Sequence, residues 1–351
     1  MTTPSSGPKT AWQAAPSAAG TGPGGSGPAE AARALLRGRG AELVVKFNLV
    51  LVFLVLCAVA SVLAPEFLTT RNLSNLLQQS ALTGIVAIGM TLVVLTSGID
   101  LSVGSVAAFG GMTVALLMDH DMNYVLAMLI SLAAGAGFGA IMGGLSAYLT
   151  LPAFMTTLAG LTAIRGLAYL LSDGEPVNAD QSHTFQLIGG GFIGTIPIAG
   201  LIFLGVTILA ALVLRGTTFG EYVYAVGSNK EAARLSGLPV RGVITAVFAI
   251  SGALAALSGV LLTSRLTIGQ PTAFDGLELD AIAAVVLGGT NLFGGRGGVL
   301  GTFVAVLLLS VVRNLCNLMG LDSFFQMVVT GLILVVALIL NVTIEKRGSR
   351  A

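Results

Sequence analysis

Long apolar runs separated by short polar segments fill the chain from residue 49 to residue 342. A helix needs about 20 mostly apolar residues to cross a bilayer, and most of these runs approach that length. The pattern therefore predicts an all-α polytopic membrane protein with about ten transmembrane helices. The expected spans lie near residues 49–63, 73–97, 101–118, 123–148, 153–172, 196–214, 242–264, 279–290, 298–318 and 323–342.

The segment 279–290 is short for a crossing. Either Gly288 and Gly289 break the helix there, or the helix begins in the preceding segment. Residues 93–95 read Val-Val-Leu, as do residues 285–287. The first triplet precedes the loop at Gly98, and the second is followed directly by Gly288. Such an echo is typical of a duplicated half, although it covers only three residues.

Small residues recur every four positions in the fourth predicted helix, at Ser131, Gly135, Gly139, Gly143 and Ala147. This spacing places them on one stripe of the helix, where another backbone can approach closely. A stripe of this kind serves either helix packing or a substrate path. We favour packing, because small-residue stripes are a general feature of membrane helix interfaces.

The composition supports a membrane protein, since 55% of the residues are hydrophobic and 9% are charged. Soluble proteins carry about 25% charged residues, so an ordinary cytosolic enzyme is excluded. The net charge of +1 also excludes nucleic-acid binding driven by a large positive field. Thirteen of the 17 Lys and Arg residues fall on one side of the predicted spans, which makes that side cytoplasmic. Both termini are then cytoplasmic.

The chain divides into three parts by composition. Residues 1–40 are predicted to form a disordered cytoplasmic tail, because Gly, Pro, Ser, Ala and Thr supply 24 of the first 28 residues. Residues 41–342 form the transmembrane domain, which includes a cytoplasmic loop at 215–241. Residues 343–351 form a basic cytoplasmic tail.

Catalytic chemistry is not expected in this chain. Cys57 and Cys316 lie apart in apolar runs, and His120 and His183 are also far apart, so no metal site is predicted. None of the four lysines stands in a Gly-rich phosphate-binding frame. We therefore expect no catalytic residue, no metal and no ATPase motif within the chain.

The cytoplasmic segment 220–239 predicts a short helix between two membrane spans. Ser228 and Glu231 have the spacing of a capping box, Gly237 suits a left-handed C-terminal cap, and Pro239 prevents continuation. So short a helix is not stable in water by itself. It is either a docking element for a soluble partner or a surface turn, and the physics alone leaves both open.

The segment resembles the coupling loop of ribose-type (monosaccharide) permeases, the membrane-spanning subunits of bacterial ABC importers. That family reads Tyr-Ala-x-Gly-Gly-Asn-x-x-Ala-Ala-x-x-Ser-Gly-Ile, and here Ser228 replaces the second Gly and Leu238 the Ile. Further matches cover most of the chain between residues 72 and 340. They include Gly98-Ile-Asp-Leu-Ser-Val-Gly-Ser105, Arg165-Gly166, Pro176-Val177-Asn178, Gln270-Pro-Thr-Ala, Glu278-Leu-Asp-Ala-Ile-Ala-Ala-Val-Val-Leu-Gly-Gly-Thr290, Gly294-Gly-Arg-Gly and Asn314 to Gly320.

The resemblance implies a multi-pass permease of the bacterial inner membrane that imports a monosaccharide such as ribose. It implies a second permease copy, an extracytoplasmic sugar-binding protein and a cytoplasmic ATP-binding subunit as partners. ATP and Mg would be used by that subunit, and no cofactor is expected in this chain. The residues that carry over to the coupling contact are Ser228, Asn229, Glu231, Arg234 and Gly237.

Asp100 stands next to apolar spans, where a carboxylate is costly unless it has a partner or water. It is either part of a sugar path or the N-terminal cap of the following helix, and residue type and position favour the cap. Ser102 and Ser105 are candidates for the same two roles, the sugar path and the helix cap. Asn314 and Asn317 are further path candidates, since polar groups on an apolar helix face protein or water.

Two arginines fall within predicted spans. Arg165 lies roughly 18 Å along its helix, so we expect it to pair with an outer carboxylate such as Asp173 or Glu175. Arg313 forms a polar patch with neighbouring asparagines and is expected to face protein or water.

The outer acidic residues are either solvated span ends or a docking rim for the binding protein. Rim charges steer encounter more than they hold a complex together. The candidates for docking are Asp173, Glu175, Glu278 and Asp280.

Three other functions stay open at this stage. An ion-coupled secondary sugar transporter would need membrane carboxylates, of which Asp100 is the one candidate. A nucleoside-type ABC permease would share the same architecture. A structural membrane scaffold would not need the capped cytoplasmic helix.

Overall fold

The computed structural model describes residues 49–179, 182–322, 324–329, 331–332 and 335. Both predicted tails, 1–40 and 343–351, lie outside these residues, as does most of the last predicted span. The described residues are mostly helical. The helices are α1 Leu49–Leu63, α2 Thr70–Leu95, α3 Val103–Asp119, α4 Tyr124–Tyr148, α5 Ala153–Leu170, α6 His183–Gly190, α7 Ile198–Gly216, α8 Thr218–Ser228, α9 Lys230–Leu235, α10 Val240–Leu266, α11 Leu277–Leu287 and α12 Val299–Leu318. Residues 324–329 are also helical.

The strands in the described residues are two residues long each. They are β1 Val177–Asn178, β2 Phe192–Ile193, β3 Ile196–Pro197 and β4 Ile268–Gly269. β1 pairs with β4, and β2 pairs with β3, both antiparallel. The β1–β4 pair ties the segment after α5 to the segment after α10.

Six described helices are long and apolar enough to cross a membrane, namely α2, α4, α5, α7, α10 and α12. α1 and α3 are shorter apolar helices. A polytopic helical membrane protein is therefore confirmed.

The short predicted segment near 279–290 is a broken helix. α11 has 11 residues and ends where Gly288 begins the following loop. Eleven residues rise about 16 Å, roughly half of a 30 Å hydrocarbon core. The first of the two sequence-based explanations, a break at the glycines, is the one that the structure bears out.

Helices α2 and α11 end with the same backbone geometry. Each ends in Val-Val-Leu, and the two residues that lie two and three positions past the leucine donate their amides to the valine carbonyls. The first of these residues has a positive φ in both helices, 60° at Ser97 and 82° at Gly289. This hydrogen-bond pattern satisfies carbonyls that would otherwise lack partners at a helix end.

The centre of the protein is formed by α2 and α10. α10 packs against α2, α3 and α4, and its contact with α4 uses the small-residue stripe. An added Cβ would lie 2.6 Å from Ala256 Cβ at Gly135, and 2.6 Å from Phe248 Cβ at Gly143. The prediction that this stripe serves packing is confirmed.

Gly139 gives a direct test of this packing. A Cβ there would overlap the backbone carbonyl of Phe248, whereas Gly137 on the same helix has open space around it. We expect Gly139→Val to destabilise the protein by about 1–3 kcal/mol, the usual cost of overpacking. Gly137→Val is the matched control and keeps the same helix propensity. Melting in detergent measures both, and equal melting temperatures would contradict the packing account.

Candidate functional site

Two short helices, α8 and α9, connect the membrane helices α7 and α10. Thr217 caps α8 by accepting the Gly220 amide at 3.3 Å. Asn229 ends α8 and starts α9, and its side chain accepts the Ala232 amide at 2.9 Å. The chain therefore turns between the two helices at a single residue. We call residues 228–237, which contain α9, the coupling segment.

The predicted capping box of Ser228 and Glu231 is wrong. Ser228 is the last residue of α8, and its hydroxyl donates to the Tyr224 carbonyl at 2.8 Å. Asn229, the next residue, is the N-cap of α9, because its side-chain oxygen accepts the Ala232 amide. The capping motif that the sequence suggested is thus displaced by one residue.

Glu231 makes an ion pair within the helix instead. Arg234 donates to the Glu231 carboxylate at 2.6 and 3.1 Å. This hydrogen bond, with the charge of the guanidinium, lowers the pKa of the Glu231 carboxyl below its usual value. Both side chains are about two-thirds exposed, so the pair is available to a partner surface and adds little to the stability of the chain itself.

Gly237 ends the coupling segment in the left-handed conformation, with a φ of 81°. Its amide donates to Arg234 O at 3.0 Å, and the Leu238 amide donates to Ala233 O at 3.1 Å. This is the left-handed C-terminal cap that the sequence predicts. α10 begins directly afterwards, at Val240.

Leu235 is a feature of the coupling segment that the sequence reasoning missed. It is 75% exposed on α9, while Ala233 on the same helix is buried against the protein. An exposed leucine beside an exposed ion pair is the composition of a small protein contact surface. Leu235 looks like an ordinary apolar residue in the sequence, because its exposure depends on which face of α9 packs.

Asp100 is buried in the break between α2 and α3, with 1% of the residue exposed. Its Oδ1 accepts the Ser102 amide at 3.0 Å and the Ser102 hydroxyl at 2.6 Å. Ser251 of α10 donates to the other oxygen at 3.3 Å. The carboxylate thus organises the turn before α3 and links that turn to the central helix. The prediction that Asp100 caps the helix is wrong, because α3 begins at Val103 and its N-cap residue is Ser102.

The other path candidates lie at helix contacts. Ser105 donates to the Leu161 carbonyl of α5 at 2.7 Å. Asn314 of α12 exchanges two amide hydrogen bonds with Asn72 of α2, at 2.8 and 2.9 Å. Asn317 accepts from Gln326 at 2.7 Å. Ser105 and Asn314 therefore face protein, whereas Asn317 is exposed near the end of α12.

Arg165 fastens the loop that follows β4. It donates to the carbonyls of Pro271 and Ala273, both at 2.7 Å, and pairs with Asp275 at 2.9 Å. The expected pairing with an outer carboxylate is confirmed, but the partner is Asp275 and not Asp173 or Glu175, because the loop after β4 brings Asp275 to the arginine. We call residues 270–276 the outer strap.

The four docking candidates fall into two groups. Asp173 and Glu175 lie exposed on the turn after α5. Asp280 of α11 forms an ion pair with Arg313 of α12, which confirms that Arg313 faces protein. Glu278 is partly buried against α3, where an added Cβ at Gly104 would lie 2.6 Å from its carboxylate. Only the first group is fully presented to solvent.

The outer strap provides a test of the Arg165 contacts. Arg165→Met removes both carbonyl hydrogen bonds and the ion pair, and hydrogen bonds to charged groups contribute about 1.5–3 kcal/mol each. We expect amide exchange in residues 272–276 to accelerate about thirty-fold, which corresponds to about 2 kcal/mol. Arg71→Met is the control and should leave the strap unchanged. Unaltered exchange in the strap of the Arg165 variant would contradict its role.

The chain matches the family described as "branched-chain amino acid transport system / permease component" over residues 72–338. It is 42% identical over 295 residues to the ribose import permease protein RbsC of Escherichia coli K12, which covers 82% of this chain and 91% of that protein.

Two further relatives extend the comparison. The ribose import permease protein RbsC of Bacillus subtilis 168 is 40% identical over 288 residues, covering 82% of this chain and 89% of its own length. The L-arabinose ABC transporter permease protein AraH of Azospirillum brasilense is 38% identical over 315 residues, which cover 89% of this chain and 92% of that protein. No solved structure matches the chain at a significant level.

Proposed function

Since this chain belongs to the family of branched-chain amino acid transport system permease components, we propose that it is the membrane permease subunit of an ATP-driven, binding-protein-dependent importer for a monosaccharide such as ribose. The family description names amino acids, but the relatives of about 40% identity over most of the chain are named for ribose and L-arabinose. That similarity is the observation that favours a sugar. A nucleoside is the second cargo class that the architecture allows.

The coupling segment supports this function on physical grounds. A six-residue helix is too short to persist in water, yet α9 is capped at both ends and presents an apolar side chain and an ion pair to solvent. Such a helix is suited to a groove in a soluble partner. We propose that the partner is the ATP-binding subunit and that Ser228, Asn229, Glu231, Arg234 and Gly237 form or hold the contact.

The remaining parts of the importer follow from this assignment. We propose about ten membrane segments in the bacterial inner membrane with both termini cytoplasmic. Six long spans lie in the described residues, and α11 is long enough for only part of a crossing. A second copy of the permease completes the pore. The sugar-binding protein delivers the cargo from outside, and ATP and Mg act in the partner subunit, so this chain hydrolyses nothing.

The path for the sugar is proposed to open at the interrupted helices. Asp100, Ser102 and Ser105 are nearly fully buried, so sugar could reach them only after the helices around the break separate. Asn314 would become available when α12 moves away from α2, and Asn317 is already exposed. Alternating access of this kind needs irregular backbone that lines a cavity, which the break between α2 and α3 supplies.

Uptake by the reconstituted importer tests the proposed function. Vesicles that contain the permease and its cognate ATPase are given the cognate binding protein and labelled D-ribose, L-arabinose, uridine or L-leucine. We expect uptake of a monosaccharide that requires ATP and persists after the proton and sodium gradients are collapsed. Uptake driven by an ion gradient without ATP would instead establish a secondary transporter, and uptake of uridine alone a nucleoside permease.

Gly237 tests the coupling segment. A Cβ at Gly237 meets no atom within 4 Å, so Gly237→Val acts through the left-handed backbone, which costs an L-residue roughly 1–2 kcal/mol. We expect membrane insertion to be retained and transport-linked ATP hydrolysis to be lost. Gly216→Val, also in open space but without a positive φ, is the control. Unchanged coupling in Gly237→Val would refute the assignment.

The outer acidic residues give a test of docking. We propose that Asp173 and Glu175 steer the binding protein, with Glu278 and Asp280 contributing from partly buried positions. Reversal of Asp173 and Glu175 to lysine should slow association most at low salt, because screening lengths are about 10 Å at 0.1 M salt. Glu221→Lys on α8 is the control. An association rate that does not depend on ionic strength would refute the steering hypothesis.

A further inference from the structure

Three chain segments meet beside the end of α2. The Ser97 hydroxyl lies 3.0 Å from the Gly227 carbonyl of α8 and 2.6 Å from the Phe293 carbonyl in the loop after α11. The Gly295 amide from the same loop donates to the Leu95 carbonyl at 3.0 Å. One side chain at the end of α2 therefore touches both α8, which leads into the coupling segment, and the loop after α11.

Small residues make this contact possible. An added Cβ at Gly227 would overlap the Leu95 carbonyl, and one at Gly294 would lie 2.9 Å from the Gly227 carbonyl. The segments thus approach backbone to backbone. We call the contact of Leu95, Ser97, Gly227 and residues 293–297 the junction.

Ser97 occupies a backbone conformation that glycine adopts more readily. Its φ is 60°, and the corresponding position at the end of α11 is Gly289. A left-handed conformation costs an L-residue roughly 1–2 kcal/mol, so a serine there needs a compensating interaction. The two carbonyls within reach of its hydroxyl supply one.

A second side chain joins the junction from α8. The Tyr224 hydroxyl donates to the Gly297 carbonyl at 3.0 Å, one turn before Gly227. α8 is therefore attached to the loop after α11 at two places. Asp100 lies three residues after Ser97, in the same turn between α2 and α3. Asp100 accepts a hydrogen bond from α10, so the turn is also connected to the central helix.

We propose that Ser97 is a positioning residue for transport, which fastens α8 and the coupling segment to the break after α2 and to the loop after α11. Movement of the coupling segment is then passed through α8 and Ser97 to the turn that holds Asp100. The proposal rests on the proposed function, in which an ATPase moves α9. It adds the contact through which that motion enters the membrane helices.

Ser97→Gly is the sharpest variant, because it removes the hydroxyl and also relieves the left-handed strain. The reconstituted complex is tested with its cognate ATPase, its binding protein and labelled D-ribose. We expect Ser97→Gly to melt no lower than wild type, to retain the ATPase subunit and to hydrolyse ATP. Sugar uptake per ATP should fall about five-fold, because the net free energy of one hydrogen bond, about 1 kcal/mol, corresponds to that factor in an equilibrium constant.

Two companion variants separate the explanations. Ser61→Ala removes a hydroxyl on α1 whose hydrogen bond stays within its own helical turn, so uptake per ATP should be unchanged. Tyr224→Phe removes the second attachment of α8 and should lower uptake per ATP in the same direction as Ser97→Gly. The double variant should be lower than either.

A readout that needs no sugar keeps the two proposals apart. Binding of the nucleotide-loaded ATPase should alter amide exchange at residues 230–237 and 97–102 in wild type, but only at 230–237 in Ser97→Gly. Three results for Ser97→Gly would overturn the role of Ser97. They are a wild-type ratio of sugar uptake to ATP hydrolysed, a change in amide exchange at 97–102 on ATPase binding that equals that of wild type, and a failure to fold. If wild type imports none of the sugars but shows this exchange pattern, the proposed cargo fails and the junction stands.

Discussion

Backbone polar groups that are buried in protein or bilayer have no water to bind, so a buried helix end survives only where the surrounding protein satisfies it. Two described helices of this chain, α2 and α11, have such ends, after Leu95 and after Leu287. Both ends return their amides to carbonyls of the last helical turn, and the first is covered by α8 and by the loop that follows α11. The position of α8, which leads into the coupling segment, depends on the first of these protected ends.

The two ends of the protein differ in how they are held. On the coupling side, glycine backbones approach closely and one serine hydroxyl joins the segments, so the contact is close and carries little charge. At the outer strap, Arg165 gathers two carbonyls and a carboxylate from a single loop. Close backbone packing transmits displacement because it is hardly compressible, whereas the Arg165 contacts hold a single loop through charged hydrogen bonds. This division suits a protein that receives motion at one face and cargo at the other.

The sequence predicted those features that depend on local backbone chemistry. The small-residue stripe of α4, the left-handed cap at Gly237 and the break at Gly288 follow from residue type and spacing, and all three were confirmed. It failed where the outcome depends on chain segments far apart. The partner of Arg165 is set by how the loop after β4 folds back. The cap of α9 was misplaced for a local reason, because α8 extends through Ser228 and leaves the cap to Asn229.

Other residues carried no signal at all. Ser97 resembles any serine in a turn until α8 and the loop after α11 are placed beside it, and the exposure of Leu235 depends on the packed face of α9. The roles of Asp173, Glu175 and the path residues stay predictions.

Site-specific cross-linking at α9 tests the central claim that an external ATPase acts on this helix. With Cys57 and Cys316 replaced by serine, a cysteine at Leu235 should cross-link to the cognate ATPase subunit in membranes, with a yield that changes on ATP binding. A cysteine at the exposed Ile193, in the β2–β3 hairpin, is the control and should give no such product. Absence of the product at residue 235, in membranes where the two subunits copurify, would contradict the account.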